Sequence, residues 1–179
     1  MRIGSGRWRN ALLPPAGPDV RPISARLRQS LFTVLAPWVE GAVVLDLCAG
    51  VGALGLEALS RGAARLILVE LDRHQARELR LWIADRGATE AKVVEADARG
   101  GIWPDGPYDL VFLDPPFSVY EDQNGLTPFL ERAIDDLAVE GVIAVKLPTD
   151  VEVPPDPRWV VRARRAAGDV AYALVTRPS

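Results

Sequence analysis

The chain has 179 residues, 49% hydrophobic and 25% charged, a balance that fits one soluble domain with a sizeable core and excludes a fibrous or disordered chain. No apolar run reaches the roughly 20 residues of a membrane span, and the start, Met1 to Gly6, lacks the apolar stretch of a secretory leader. One cysteine, Cys48, and one histidine, His74, form neither a disulfide nor a zinc-ligand set, so a cytoplasmic protein without bound metal is expected.

The net charge of −3 hides an asymmetry. Residues 1–28 hold Arg2, Arg7, Arg9, Arg21, Arg26 and Arg28 against Asp19 alone. A basic arm on an acidic body suits an anionic partner touched at one edge. Gly4, Gly6, Pro14, Pro15, Gly17, Pro18 and Pro22 preclude a long helix over residues 1–22, which read as a small appendage to a main domain of residues 23–179. Within the arm, Arg7-Trp8-Arg9 interleaves an indole with guanidinium groups, a pattern suited to stacking and phosphate contact.

Ile23 to Leu35 predicts a helix with Ser24 as N-cap. Leu27, Leu31, Val34 and Leu35 form its apolar stripe, Arg26, Arg28 and Gln29 lie off it, and Pro37 stops it. Val43–Leu47 reads as the first core strand, and Leu54–Arg61 as a helix closed by Gly62. Arg65–Glu70 is a second strand, Arg73–Arg86 a helix burying Ala76, Leu79 and Ile83, and Lys92–Asp97 a third strand. Tyr108–Asp114 is the fourth strand, Thr127–Leu137 a helix and Gly141–Lys146 the fifth strand. Trp159–Ala166 and Val170–Thr176 flank Ala167-Gly168-Asp169 as a terminal hairpin. The pattern is that of an α/β doubly wound, mostly parallel seven-stranded sheet closed by an antiparallel hairpin.

Two stretches carry chemistry. Gly50-Val51-Gly52-Ala53-Leu54-Gly55 follows a strand and opens a helix, with Glu70 ending the next strand where it can accept ribose hydroxyls. Taken alone, this fits NAD and S-adenosylmethionine equally. Asp46, ending the first strand, would repel a pyrophosphate but suits a sulfonium and an ammonium, which favours S-adenosylmethionine over a dehydrogenase cofactor. Asp97 could receive an adenine amino group, with Ala49, Leu71 and Ala98 beside these acids. The competing structural readings are that Asp46 caps the following helix and that Glu70 and Asp97 merely end their strands. Cys48 reads as a small buried residue of the turn and His74 as a surface residue.

The second stretch is Asp114-Pro115-Pro116-Phe117. Two prolines force the chain out of the sheet, which leaves Asp114 at the carboxyl end of a central strand. An exocyclic base amine is a poor nucleophile, and a site for it needs hydrogen-bond acceptors and a face that holds the ring. Asp114 and the Pro115 carbonyl supply acceptors, Pro116 fixes the turn, and Phe117 offers the face. Ser118 to Gly125 could close over a bound base, or be an ordinary surface loop.

With these residues placed, the chain resembles the RsmD family of bacterial 16S rRNA guanine-N2 methyltransferases over nearly its whole length. Arg2-Ile3-Gly4-Ser5-Gly6-Arg7-Trp8-Arg9 is similar to the family's amino-terminal arm, and the run Arg21 to Phe32 to its Arg-Pro-Thr segment and helix. Asp46 to Gly62 is the most specific match, followed in order by Val69-Glu70, Asp114 to Phe117 and Gly168 to Tyr172. The resemblance implies a Rossmann-like methyltransferase fold, S-adenosylmethionine as methyl donor, and transfer to N2 of one guanine on the small ribosomal subunit. It implies Asp46, Gly50, Gly52, Glu70 and Asp97 as cofactor contacts, Asp114 to Phe117 as the catalytic tetrad, and Arg2, Arg7, Trp8, Arg9, Arg21 and Arg26 as the RNA-facing set. Ala25, Gln29, Thr33 and Trp82 depart from the family's usual residues and bear on which nucleotide is chosen. An adenine-N6 methyltransferase and a non-catalytic ribosome-assembly factor are the alternatives, and a monomer is expected.

Overall fold

The computed structural model describes residues 1–17, 23–122 and 125–178. Seven strands form one sheet: β1 (Val43–Leu47), β2 (Arg65–Glu70), β3 (Ala91–Glu95), β4 (Tyr108–Leu113), β5 (Leu137–Pro148), β6 (Val160–Ala167) and β7 (Val170–Thr176). Their spatial order is β3-β2-β1-β4-β5-β7-β6, parallel except where β7 runs against β5 and β6. This is the expected Rossmann-like arrangement, and β1 and β4 lie side by side at its centre.

Four helices complete it: α1 (Ala25–Leu35), α2 (Gly55–Ser60), α3 (Arg73–Asp85) and α4 (Thr127–Asp135). One face of the sheet packs Val44, Phe112 and Ala144 against Leu31 and Phe32 of α1, Leu56 and Leu59 of α2, and Leu79 and Trp82 of α3. The other packs Leu45, Leu47, Val111 and Val145 against Phe129, Leu130 and Ile134 of α4, with Trp103 and Trp159 filling the ends. Alternation along each strand sends successive side chains to opposite layers, so both layers are apolar and the central strands read as unbroken hydrophobic runs.

Local signals account for most boundaries. Ser24 caps α1, its Oγ accepting from the Leu27 N–H at 3.2 Å, and Asp72 caps α3 by accepting from Gln75 N–H at 2.7 Å. The expected β3 was too long: it ends at Glu95, so Asp97 lies in the turn beyond it. The fifth strand was too short, because the stretch from Leu137 joins it through a register shift opposite Tyr108 and Leu110.

Arg28, expected off the apolar stripe of α1, is buried at 4% exposure. Its Nε lies 3.6 Å from the carboxylate of Glu57, itself at 0% exposure, and one guanidinium nitrogen donates to the Arg2 carbonyl. Nor do residues 1–17 stand apart as an appendage. Ile3 and Leu13 belong to the core, Gly4 N–H donates to Glu57 at 2.7 Å, and Trp8 N–H donates to Ser60 Oγ at 3.0 Å. Trp82 receives this segment: its indole N–H donates to the Leu12 carbonyl at 2.6 Å, and Trp8 meets it edge-on at 5.3 Å.

Candidate active site

β1 delivers Asp46 and then a turn with left-handed backbone at Gly50 (φ 55°) and Gly52 (φ 73°), which glycine adopts without cost, and at Cys48 (φ 61°), which does so only at a cost. The turn is tight. A Cβ on Gly52 would lie 2.8 Å from the side chains of Leu56 and Leu79, and one on Gly55 would lie 2.8 Å from the Asp46 carboxylate. Ala49 is buried and donates its N–H to the Val69 carbonyl, tying the turn to β2.

Two carboxylates brace this turn from within. Asp46, at 2% exposure, accepts the Gly55 N–H at 2.8 Å, so the helix-capping reading of Asp46 describes a contact that exists. Glu70 accepts the Gly50 N–H at 2.6 Å through one oxygen and the Asp72 N–H at 2.8 Å through the other. Burial, followed by the charges of Asp114 and Glu70, pushes the Asp46 carboxyl well above the usual carboxylate range, against the pull of the Gly55 hydrogen bond. Cys48 feels the same field. Burial first, then Glu70, Asp114, Asp46 and Asp97, push its thiol up, which makes it inert at neutral pH and places four acids around one turn.

Asp97 belongs to the same edge but has a cation of its own. Arg99 donates to both its oxygens, the shorter contact being 2.7 Å, and this pairing holds the exposed carboxyl below its ordinary range. Leu71 is 63% exposed beside Glu70, an apolar side chain left at the rim, whereas Ala98 is buried.

Asp114 follows β4 directly, its N–H reaching the Leu47 carbonyl of β1 at 3.4 Å. It lies one pleat beyond Phe112, which pairs with Asp46, so both acids project from the face covered by α1 and α2. Pro115 is buried and Pro116 exposed and extended (φ −62°, ψ 152°); a 3-10 turn over Phe117–Glu121 begins at once. Phe117 is half-buried and meets Tyr120 edge-on at 6.2 Å.

Three residues around Asp114 were not expected from the sequence as parts of the site. The Lys146 ammonium of β5 donates to Asp114 Oδ1, and the Tyr120 hydroxyl donates to the Lys146 carbonyl. Tyr172 of β7 stands opposite Lys146 in register, fully buried; its hydroxyl faces Asp114 closely enough to lower that carboxyl, without reaching ordinary hydrogen-bond geometry. Burial outweighs both neighbours, so the Asp114 carboxyl remains above its ordinary range. Lys146 shows in the sequence only as an isolated lysine inside an apolar strand, and Tyr172 as a tyrosine that ends the Gly168 to Tyr172 stretch similar to the family.

The RNA-facing set is not gathered here. Arg7 bonds Glu90 at 2.8 Å, just before β3, and its backbone N–H reaches Ser60 at the end of α2. Both lie where the parallel strands begin, whereas Asp114 lies where they end, about 20 Å away across a six-residue strand. Arg7 also covers the Trp8 ring at 3.8 Å, so with Trp82 at its edge Trp8 is held by the protein. Arg2 is exposed and donates to the Asn10 carbonyl at 2.6 Å; Arg9 and Arg26 are exposed, and Arg21 lies outside the described residues. A cavity of about 630 Å³ at this far edge is lined by Arg7, Phe32 and Arg61. Another of about 400 Å³ lies between Leu12 to Ala16 and Val51 of the glycine turn. Among the described residues no acidic, histidine and cysteine group is arranged for a metal ion, and no helix is long and apolar enough to cross a membrane.

Comparison with known proteins fixes the lineage. The family model described as "Conserved hypothetical protein 95" matches residues 1–176. Ribosomal RNA small subunit methyltransferase D of Escherichia coli K12 is 39% identical over 183 residues, spanning 99% of this chain and 90% of that protein. The chain belongs to the RsmD family. The Haemophilus influenzae protein of the same name is 30% identical, over 97% of this chain and 92% of its own length. The solved structure of yhhF from Escherichia coli superposes with a TM-score of 0.85 at 37% identity, covering 100% of this chain and 98% of that one. The strand-end edge of this chain carries a Gly-rich turn, a Pro-Pro turn and four carboxylates, of which Asp97 and Asp114 each meet one cation.

Proposed function

We propose that this chain is an S-adenosylmethionine-dependent methyltransferase that modifies the exocyclic N2 of a guanine in 16S rRNA, on the small ribosomal subunit. The observation that carries the reading is the convergence of Asp46, Glu70 and Asp114 on one edge, in a chain whose relatives are named rRNA methyltransferases. The donor set fits the cofactor. Asp46 is a buried carboxylate with no cation among the described residues, suited to a sulfonium or ammonium and hostile to a pyrophosphate. In this reading Glu70, whose oxygens already accept the Gly50 and Asp72 N–H groups, takes the ribose hydroxyls on its remaining lone pairs, and Leu71 and Ala98 line the adenine ring.

The cofactor supplies a methyl group on a positively charged sulfur. Asp114 and the Pro115 carbonyl accept the amine N–H groups and aim the nitrogen, while Phe117 stacks against the ring; such stacking is worth about 1–3 kcal/mol per base. The nitrogen becomes cationic on methylation, so its proton passes readily to Asp114 or to water. Cys48, with its thiol pushed up, takes no part. Arg9, Arg26 and Arg2 contact the RNA backbone, and the amino-terminal segment, whose residues 1–17 pack on the rest of the fold, acts in recognition.

The test is transfer of labelled methyl groups to small subunits lacking guanine-N2 methylation, with free rRNA and duplex DNA alongside and nucleoside analysis of the product. N2-methylguanosine in the subunit is expected. N6-methyladenine would overturn the substrate while keeping the site, and no label despite bound cofactor would leave an assembly factor.

A further inference from the structure

Asp114 is asked to accept hydrogen bonds from an amine while buried beside a second acid. Burial favours its protonated form, and a protonated carboxyl donates with one oxygen where the substrate needs acceptors. The charged and titratable groups facing it come from every neighbouring element. Asp46 and Cys48 approach from β1 and its turn, with Glu70 behind them; Tyr120 approaches from the 3-10 turn and Tyr172 from β7. All of these are acids or neutral hydroxyls. Among the described residues the cation facing it is Lys146.

Its placement is specific. The sheet register sets Leu113 against Val145 and Lys146 against Tyr172, so Asp114, Lys146 and Tyr172 form one row across β4, β5 and β7. The side chain of Lys146 is 11% exposed and that of Asp114 21%, so the pair is largely shielded from solvent yet open on one side. The ammonium takes Oδ1, and the Tyr172 hydroxyl faces the carboxyl without ordinary hydrogen-bond geometry, so the carboxyl can accept from a further donor. The Tyr120 hydroxyl on the Lys146 carbonyl fixes the backbone that carries it, and the ammonium lies 5.7 Å from the Phe117 ring.

We propose that Lys146 is a positioning residue for methyl transfer: it holds Asp114 as a carboxylate and fixes its orientation, so that Oδ2 receives the substrate amine. The inference rests on the methyltransferase reading of the site. An ion pair serving only stability is the competing account, and a buried pair is weak evidence for stability. The two differ in pH dependence.

The experiment compares kcat against pH for the parent, K146M and K146R on small subunits, with cofactor affinity and unfolding midpoint measured for each. An opposite charge at this range lowers a carboxyl by about 1–3 pH units. In K146M the acid limb of kcat therefore moves upward by that amount, and the deficit shrinks about tenfold per pH unit as pH rises to the new limb. K146R keeps the parent's limb, and cofactor affinity is unchanged in both. A K146M rate lowered equally at every pH, or a limb that does not move, overturns the proposal; K146Q takes its place if K146M does not fold. Should the parent transfer nothing to subunits, the substrate reading has failed on its own. The carboxyl titration of Asp114 by 13C NMR in the free protein then decides: a higher midpoint in K146M supports the role of Lys146, and equal midpoints overturn it.

Discussion

Two buried carboxylates on neighbouring elements, Asp46 at 2% exposure and Glu57 at 0%, are treated in opposite ways. Glu57 is met from three sides: Arg61 Nε at 2.8 Å, Arg28 Nε at 3.6 Å and the Gly4 N–H at 2.7 Å. Asp46 has one peptide N–H, and the charges that act on it are those of the acids Asp114 and Glu70. A buried charge that the chain itself compensates is architecture; here it pins residues 1–17 to α1 and α2. A buried charge left among like charges is destabilising until a cation compensates it. The cluster around Glu57 is closed in that sense, and the edge around Asp46 is open.

The largest expected effect is on the open side. Asp114→Ala removes the acceptor for the amine and should lower turnover by about 10²–10⁴-fold, the usual range for a positioned acid–base group. Cofactor affinity should hardly change, because in the proposed mechanism Asp114 meets the base and not the cofactor. Single-turnover transfer and equilibrium dialysis separate the two, and unchanged turnover removes the assignment.

On the closed side the largest effect is structural. Glu57→Ala leaves Arg28 buried without its acid and frees the Gly4 N–H, which should cost about 3–5 kcal/mol, as when one partner of a buried pair is removed. Urea unfolding measures it. A loss under about 1 kcal/mol would mean that Glu57 is not the anchor described.

Asp46→Asn reverses that direction. The amide oxygen keeps an acceptor for Gly55 N–H and removes the uncompensated charge, so the free protein should gain stability on the order of 1 kcal/mol, the usual scale of a single substitution, while cofactor affinity falls. The pH dependence has a definite sign. With its folded carboxyl above the ordinary range, native Asp46 binds more protons than the unfolded chain between the two values, so its contribution to stability falls as pH rises through that window. The variant should lose that slope. Parallel stability curves for parent and variant would show that Asp46 is not strained when charged.

What the sequence showed and what it concealed divide along the same line. The central strands, the Ser24 cap and the glycine turn were legible because each rests on neighbours in the chain: a continuous apolar run, a hydroxyl three residues before an N–H, positive φ at glycine. The Pro-Pro turn put Asp114 at a strand end for the same reason. Arg28 and Lys146 were not legible, since each is a single charge in an apolar pattern whose acid lies on another element. The docking of Trp8 on Trp82 joins two segments with no shared periodicity, and it gives Trp82 a place in holding the amino-terminal segment. Asp46 could be read from the chain as a helix cap or a ligand group, and its hydrogen bond to Gly55 leaves room for both.

The smallest expected effects belong to the exposed arginines at the closed side, where pairing again predicts an order. Arg7 must leave Glu90 and the Trp8 ring before it can neutralise a phosphate, whereas Arg9 has no acidic partner among the described residues. Arg9→Ala should therefore weaken subunit binding more than Arg7→Ala. Removing one arginine–phosphate interaction should flatten the slope of log K against log salt by about 0.7–0.9. Arg7→Ala should change stability by less than about 1 kcal/mol, the usual worth of an exposed pair. Because these groups lie about 20 Å from Asp114 across the strands, the same substitutions should leave cofactor affinity untouched and act through KM, with kcat preserved. Filter binding across a salt series, with subunits as ligand, tests the order. Equal slopes for parent and both variants would place the RNA footprint on the strand-end side alone, beside the acids and Lys146.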